Sequence, residues 1–289
     1  MKEQIYILEE FNSFELEDIF ECGQCFRWNK QEDGSYTGVF NNNVLNVKKE
    51  AKKITFSGLC QGDIAKTCIE YFDLNRDYIK IKEKLSNIDE YLEKSIQYGQ
   101  GIRILNQDLW EMIISFIISA NNNIPRIKKI IENLSRTYGN ELTWNNQKYY
   151  TFPTIKQLSK ASVEDLRKLG LGFRDKRIYE TTKIFLEGKI KLEELEKEEN
   201  INNLREKLLT LPGVGPKVAD CIMLFGMQKY EVFPIDVWIR RVMNDLYIKN
   251  EDETKVSKNQ IEQLARKKYG NLAGIAQQYL FFAAREKSI

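Results

Sequence analysis

Apolar and polar residues alternate in short runs along the N-terminal part of the chain. A period of two places successive side chains on opposite faces of a β-strand. The turn sequences Asp33-Gly34 and Asn41-Asn42-Asn43 separate some of these runs. The sequence therefore predicts an antiparallel sheet with strands near residues 5–8, 25–28, 35–40, 44–47 and 54–58.

Helical spacing replaces this alternation after residue 60, first at residues 63–72 and 78–85 and then almost continuously from Gln107. Residues 107–120 are apolar on nearly every side, which predicts a central buried helix. Three asparagines end that helix, and Pro125 is predicted to open the next one. The charged run at 189–200 is most simply an exposed helix face or linker, without an assigned function.

The order of these elements predicts an α+β fold. We expect an N-terminal antiparallel β-sheet domain with flanking helices over residues 1–98 and a helical domain over residues 99–289. The chain has 289 residues, 42% of them hydrophobic and 30% charged, as expected of a soluble globular protein. We expect an intracellular protein, because no apolar run reaches the roughly 18 residues of a membrane span and the N-terminus lacks a signal-peptide pattern.

Residue usage narrows the chemistry. The five cysteines form an odd, irregular set, and the Cys22-x-x-Cys25 pair lacks a second pair at zinc-ligand spacing, so no metal site is predicted. The chain contains no histidine, which excludes Ser-His-Asp and Cys-His catalysis. Catalysis must therefore use Lys, Asp, Glu, Cys or Tyr. A net charge of +2 is too small to indicate a polyanionic partner.

The sequence L-P-G-V-G-P-K-V-A-D-C at residues 211–221 predicts a tight turn between two helices, a helix-hairpin-helix motif over residues 203–227. Glycines suit such a turn, and its outward amides, with a helix N-terminus, form a phosphate site. The predicted phosphate-binding residues are Leu211, Gly213, Val214 and Gly215. An ordinary helix connection remains an alternative.

Lys217 lies in the first turn of the second helix, where the helix dipole disfavours an ammonium and favours a neutral, nucleophilic amine. Asp236 follows nineteen residues later, after Pro234, in a predicted helix-capping position. The helix and its short return would bring the amine and the carboxylate together. The alternatives are a lysine that extends into solvent and an aspartate that only caps.

These segments resemble the helix-hairpin-helix, Gly/Pro-Asp DNA glycosylase superfamily, and its 8-oxoguanine DNA glycosylase branch in particular. Segments 22–28, 118–127, 169–174 and 276–283 resemble the same branch, so the likeness spans nearly the whole chain. It implies a sheet domain followed by two helical subdomains, with DNA between them. It also implies a bifunctional enzyme that excises 8-oxoguanine from duplex DNA by attack of Lys217 and then cleaves the strand by β-elimination, while Asp236 stabilises the sugar cation.

The resemblance also implies roles for residues around the base. Gly23 would accept the N7-H of 8-oxoguanine, Gln277 would read the Watson-Crick edge, and Cys221 and Phe281 would sandwich the ring. Asn121, Arg126 and Arg174 would hold the opposite cytosine, and Phe173 would wedge into the gap. We expect no redox cofactor, a monovalent cation at the hairpin, and a monomeric protein located with the DNA, in the cytoplasm of a bacterium or the nucleus of a eukaryote.

Three positions depart from the family pattern: Phe173 replaces a usual Tyr, Trp238 a frequent His and Cys25 a frequent Ser. We therefore expect weaker phosphate anchoring beside Asp236 and weaker preference for cytosine opposite the lesion. An endonuclease III-like enzyme is a rival, but the last cysteine is Cys221 and the C-terminal iron-sulfur loop is absent. An alkylpurine glycosylase, which usually lacks the lysine, and a non-catalytic DNA-binding module are the other rivals.

Overall fold

The computed structural model describes residues 1–252 and 255–286. Its N-terminal part is a five-stranded antiparallel sheet, in the spatial order β1-β5-β4-β3-β2. The strands are β1 (Lys2–Leu8), β2 (Trp28–Lys30), β3 (Tyr36–Phe40), β4 (Asn43–Glu50) and β5 (Lys53–Cys60). The predicted sheet is confirmed, although the strand expected at 25–28 begins only at Trp28 and a short helix precedes it.

The remaining chain is mostly helical, as predicted. The helices are α1 (Leu16–Phe20), α2 (Ile64–Tyr71), α3 (Tyr78–Ser86), α4 (Glu90–Tyr98), α5 (Leu109–Ser119), α6 (Ile124–Tyr138), α7 (Ile155–Leu158), α8 (Val163–Leu166), α9 (Asp175–Leu186), α10 (Leu192–Glu196), α11 (Ile201–Leu209), α12 (Pro216–Met227), α13 (Val237–Met243), α14 (Lys258–Tyr269) and α15 (Ala273–Arg285). Within the part of the chain that the structure describes, none of them is long and apolar enough to cross a membrane.

Helix α5 is the buried centre of the helical region. Every residue from Leu109 to Ile118 is buried, which confirms the prediction from its apolar pattern. Asp108 caps its N-terminus by accepting the amide of Glu111 at 2.8 Å. Helix α12 packs on α5, and both α4 and α13 pack on α15. Leu224 of α12 also approaches α15, since a Cβ added at Gly274 would lie 2.6 Å from its Cδ1.

Two hydrophobic clusters account for most of the core. One lies beneath the sheet, where Trp28 donates from Nε1 to the hydroxyl of Tyr71 at 2.9 Å. The other fills the helical region and includes Leu85, Leu92 and Ile96 of α3 and α4, which the prediction placed in the N-terminal domain. The division between residues 98 and 99 stays a prediction, and residues 287–289 of the second predicted domain lie outside the described residues.

The structure adds two local features that the sequence did not predict. A second hairpin, β6 (Glu141–Trp144) and β7 (Gln147–Tyr150), interrupts the helical region. Its turn residues Asn145 and Asn146 both have positive φ, 49° and 58°, a turn that asparagine tolerates. The charged run at 189–200 contains α10, whose Leu195 is fully buried and packs into the helical core. A single inward leucine among charges is too weak a signal to detect from the sequence.

Candidate active site

The helix-hairpin-helix turn connects α11 to α12, as predicted. Gly213 has φ +87°, and a Cβ added there would lie 2.6 Å from Cδ of Arg177 and 3.3 Å from Cγ2 of Ile117. Glycine is therefore required both by the backbone conformation and by the packing of the turn against its neighbours. Gly215 precedes α12 directly, and Pro216 occupies the first helical position.

The amides of the turn are not equally available for the predicted phosphate, whose binding stays a prediction. Leu211 donates to the carbonyl of Leu208 at 3.1 Å, and Val214 donates to that of Leu211 at 3.0 Å. In the described structure the amides of Gly213 and Gly215 donate to no backbone carbonyl. These two groups, with the N-terminus of α12, remain free to bind a phosphate oxygen.

Lys217 and Asp236 each lie at the start of a helix. Lys217 is the second residue of α12, is half-buried, and has its Nζ 5.5 Å from the ring centre of Phe116. Asp236 is the N-cap of α13, as predicted, and its Oδ1 accepts the amide of Ile239 at 2.8 Å. The cap holds the carboxylate in one orientation, and its second oxygen is left for another partner.

The charges of Lys217 and Asp236 both act on the thiol of Cys221. Burial raises the pKa of this thiol to about 11; the positive charge of Lys217 opposes the rise, and the carboxylate of Asp236 adds to it. Cys221 follows Lys217 by one helical turn, on the same face of α12. Both charges therefore act on the same buried, uncharged thiol. Direct juxtaposition of the amine and the carboxylate stays a prediction.

Gly23 lies in a segment whose neighbouring carbonyls are already occupied. Gln278 donates from Nε2 to the carbonyl of Cys22 at 2.6 Å, and Gln107 donates to that of Gln24 at 2.8 Å. Among the described residues, no group donates to the carbonyl of Gly23. Hydrogen bonds therefore fix the segment on both sides of Gly23, whose carbonyl is left as a free acceptor.

Two residues of α15 complete this side of the site. A Cβ added at Gly23, whose φ is +88°, would lie 3.3 Å from Cε1 of Phe281. Phe281 is partly exposed, whereas Phe282 is 5% exposed and belongs to the core, so the predicted choice between them agrees with burial. Gln277 is 5% exposed, and its Oε1 lacks a hydrogen-bond partner among the described residues. A buried unpaired carboxamide oxygen is costly unless a ligand completes it.

Family models match both parts of the chain. Residues 6–113 match the N-terminal domain of 8-oxoguanine DNA glycosylase, and residues 114–269 match the HhH-GPD superfamily base excision DNA repair protein. The chain belongs to the HhH-GPD superfamily. The hairpin, Lys217 and Asp236 lie within the second match, whereas Gly23 lies within the first.

Individual superfamily members are similar over most of the chain. A probable N-glycosylase/DNA lyase of Methanothermobacter thermautotrophicus is 35% identical, covering 76% of this chain and 75% of that protein. The N-glycosylase/DNA lyase of Saccharomyces cerevisiae is 33% identical, and the match covers 89% of this chain and 73% of that protein. A solved structure is also similar: Clostridium acetobutylicum 8-oxoguanine glycosylase/lyase in complex with double-stranded DNA containing cytosine opposite 8-oxoG. It has a TM-score of 0.93 and 43% sequence identity, and the match covers 100% of this chain and 98% of that chain.

The residues predicted to face the opposite strand lie in the turn between α5 and α6, at the start of α6, and just before α9. Asn121 is exposed and has φ +51°, and Arg126 is exposed and donates to the carbonyl of Gly170 at 3.4 Å. Phe173 is 56% exposed, although the guanidinium carbons of Arg174 and Arg177 lie 4.2 and 5.1 Å from its ring centre. An exposed aromatic ring that two arginines hold in place has the form needed to wedge into a DNA duplex.

Arg174 differs from these neighbours, because it is 1% exposed. It donates from Nε to the carbonyl of Ala120 at 2.9 Å and from Nη2 to that of Asn121 at 2.7 Å. Its donors thus hold the turn that carries Asn121. A direct contact between Arg174 and cytosine stays a prediction and requires some of these donors to be released.

Sequence reasoning missed the residues that support the Gly23 segment. Gln24 is fully buried; its Nε2 donates to the carbonyl of Arg103 at 2.7 Å, and its Oε1 accepts the amide of Leu105 at 2.9 Å. Gln107 and Gln278 hold the same segment through its carbonyls. No local pattern marks these glutamines, because their partners lie far away in the sequence.

The remaining sequence observations are also located. Cys22 and Cys25 are free and buried, and the described residues contain no cluster of three or more potential metal ligands. Trp238, two residues after Asp236, is 43% exposed, and the guanidinium carbon of Arg241 lies 6.0 Å from its ring centre. The position that departs from the family pattern therefore presents a partly exposed aromatic ring in the first turn of α13.

Proposed function

We propose that this protein is a bifunctional DNA N-glycosylase/AP lyase that removes 8-oxoguanine from duplex DNA in base excision repair. The observation that carries the proposal is that Lys217 lies in the first turn of α12, directly after the hairpin, while Asp236 caps α13, and both charges act on the buried Cys221. Membership of the HhH-GPD superfamily and likeness to the N-glycosylase/DNA lyases support it.

The reaction begins when the extruded nucleotide places its C1′ near Lys217. The neutral Nζ attacks C1′, and the C1′–N9 bond breaks with its electrons passing to the base, which then takes up a proton. Loss of a proton from nitrogen and opening of the sugar ring give a C1′=Nζ Schiff base. Removal of a C2′ proton then breaks the C3′–O3′ bond, and water finally releases Lys217. The carboxylate of Asp236 stabilises the positive charge that develops on the sugar.

Base selection uses the pocket between the two family-matched parts of the chain. The carbonyl of Gly23 accepts the N7-H that 8-oxoguanine has and guanine lacks. Guanine would leave this acceptor unpaired, which disfavours it by about 1–3 kcal/mol. Cys221 and Phe281 enclose the faces of the ring, and the unpaired Oε1 of Gln277 accepts from its Watson-Crick edge.

The opposite strand is held at the exposed turn. Asn121 and Arg126 offer donors to the acceptors of cytosine, with Arg174 as the inner support, and Phe173 fills the space that the extruded base leaves. Extrusion costs a few kcal/mol of unstacking, which the pocket contacts and the wedge offset. The protein acts as a monomer. It is located with the DNA, which is in the cytoplasm of a bacterium or in the nucleus of a eukaryote.

The hairpin also fits a monovalent cation. The carbonyls of Gly213 and Val214 accept no hydrogen bond from the described residues, and uncharged carbonyl oxygens are suitable ligands for such ions. A cation bound there would supply positive charge beside the phosphate. The chain itself contributes the amides of Gly213 and Gly215 and the dipole of α12.

Cleavage of a labelled duplex with one 8-oxoguanine opposite cytosine tests the proposal. The native protein should nick the strand 3′ to the lesion and form a covalent adduct in borohydride. Lys217→Gln should abolish both, whereas Lys191→Gln, which removes an exposed amine paired with Glu194 at 3.0 Å, should change neither. Binding without nicking or an adduct would contradict the proposal and favour a non-catalytic DNA-binding module.

A further inference from the structure

Arg285 lies next to the predicted base pocket, although no sequence motif pointed to it. It ends α15, one helical turn after Phe281, which itself follows Gln277 by one turn. Its Nη2 donates to the carbonyl of Glu21 at 2.6 Å, and its Nε donates to Oε1 of Glu286 at 2.9 Å. Two of the three guanidinium nitrogens therefore have partners that fix the plane of the group.

The third nitrogen has none. Nη1 of Arg285 is buried and lacks a hydrogen-bond partner among the described residues. It lies 3.5 Å from the position that a Cβ on Gly23 would take, and the same position is 3.3 Å from Cε1 of Phe281. A buried, charged donor without an acceptor is costly, so this group needs an acceptor from outside the protein, either ordered water or a ligand.

The chemistry of the oxidised base supplies such an acceptor. In 8-oxoguanine the N7-H group lies between two carbonyls, C8=O8 on one side and C6=O6 across the ring fusion on the other. If the carbonyl of Gly23 accepts N7-H, a donor beside Gly23 faces one of these two oxygens. The Gly23 carbonyl and Nη1 of Arg285 then form an acceptor-donor pair that matches the adjacent donor and acceptor of the base.

We propose that Arg285 is a specificity-determining residue that donates from Nη1 to one of the two carbonyl oxygens flanking N7-H of the extruded base. This inference rests on the proposed excision of 8-oxoguanine and assigns that reaction a further contact. Arg285 acts on the base alone, because its guanidinium lies beside Gly23, where the edge of the base binds. It takes no part in the later strand cleavage, which begins after the base has left.

Arg285→Met removes the donors and keeps an unbranched apolar stem. Under single-turnover conditions we expect excision of 8-oxoguanine to slow by about 10- to 100-fold, the loss typical of a hydrogen bond from a charged donor. Cleavage of a duplex with a preformed abasic site should stay within about twofold of the native rate, because that substrate has no base. The control Arg266→Met, an exposed arginine of α14, should leave both rates unchanged.

Unchanged excision by Arg285→Met, or an equal loss on abasic DNA, would overturn the inference and assign Arg285 a purely structural role at Glu21. A native protein that does not excise 8-oxoguanine at all would instead refute the proposed function, so the two failures are distinguishable. The midpoint of thermal unfolding is measured for Arg285→Met and for the native protein, and equal midpoints exclude a folding defect.

The base analogue 8-oxoadenine tests the contact directly, because it keeps N7-H and O8 and replaces O6 with an amino group. Binding is measured in the Lys217→Gln background, where no excision occurs. If Arg285 donates to O6, adding Arg285→Met weakens binding of 8-oxoguanine DNA but not of 8-oxoadenine DNA. If Arg285 donates to O8, the substitution weakens binding of 8-oxoguanine DNA and of 8-oxoadenine DNA by a similar factor. Binding of abasic DNA is then unaffected. An equal loss for all three duplexes contradicts a contact with the base.

Discussion

The two sides of the candidate site are built differently. The base side is buried and fixed: Gln107 and Gln278 hold the carbonyls on either side of Gly23, and Gln277 is 5% exposed with an unpaired oxygen. On the opposite-strand side, Asn121 and Arg126 are exposed, and Phe173 is 56% exposed. The polar groups of the base side are thus held by the protein itself, whereas those of the opposite-strand side lie open to solvent.

Helix α5 connects the two sides. Near its start, Oε2 of Glu111 lies 3.9 Å from Nη1 of Arg27, in the segment that follows Gly23. At its end, the carbonyls of Ala120 and Asn121 accept from Arg174. The difference between the sides suggests that the proposed rejection of guanine uses groups already fixed in the protein, while the proposed reading of cytosine uses exposed side chains. Substitutions on the two sides should therefore separate lesion selection from opposite-base selection.

The largest effect is expected on the base side. Gln277→Leu keeps most of the side-chain volume and removes the polar contacts to the Watson-Crick edge. Excision of 8-oxoguanine should fall by roughly 100-fold in single-turnover assays, because several base atoms lose their partners. Strand cleavage at an abasic site should be nearly unchanged. Equal losses on both substrates would show that Gln277 supports the fold and does not read the base.

On the opposite-strand side, Arg174→Met should act mainly on stability. It leaves the carbonyls of Ala120 and Asn121 unpaired, so the free energy of unfolding should fall by roughly 2 kcal/mol in urea titrations. The ratio of 8-oxoguanine to guanine excision should stay constant. Arg136→Met, which removes an exposed arginine 3.5 Å from Glu132, is the control and should change neither quantity. A lowered ratio would contradict the separation of the two sides.

The connection through α5 predicts a pH dependence. Burial raises the pKa of Glu111 to about 7, and the nearby Arg27 only partly opposes this. The folded protein then binds the proton more tightly than the unfolded chain, so this contribution to stability is complete below about pH 4.3 and is lost as the pH rises to about 7.

Glu111→Gln cannot lose a proton. Its free energy of unfolding relative to the native protein should therefore rise between pH 4.5 and 8, by an amount on the order of 2 kcal/mol. Chemical denaturation at several pH values measures the difference. A difference that is constant with pH would mean that the carboxyl of Glu111 has an ordinary pKa in the folded protein.

The smallest effect concerns the wedge. The native protein, with Phe173, should discriminate weakly among the four bases opposite 8-oxoguanine. Phe173→Tyr adds a hydroxyl that can hydrogen-bond beside the orphaned base, so the preference for cytosine should increase by a few-fold, less than about 1 kcal/mol. Excision rates for the four duplexes provide the measurement. A strong cytosine preference in the native protein would refute the expected effect of this departure from the family pattern.

Periodicity was sufficient for the main elements, because the sheet and the helices α2, α5, α6 and α12 each contain a repeated apolar pattern or a cap. It failed where structure depends on few residues. The β6–β7 hairpin has only four residues in each strand, and α10 has one buried leucine, Leu195. The sequence also did not show that hydrogen bonding within the turn occupies the amides of Leu211 and Val214.

The sequence by itself determined the α+β order, the hairpin, and the identity of the amine and carboxylate, because these depend on residue type and short spacing. Only the tertiary structure decided that Arg174 is buried, that Gln278 holds the Gly23 segment and that a donor of Arg285 is left unpaired. These facts join residues separated by up to 264 positions. Such contacts form only when the whole core packs, and no local pattern encodes them.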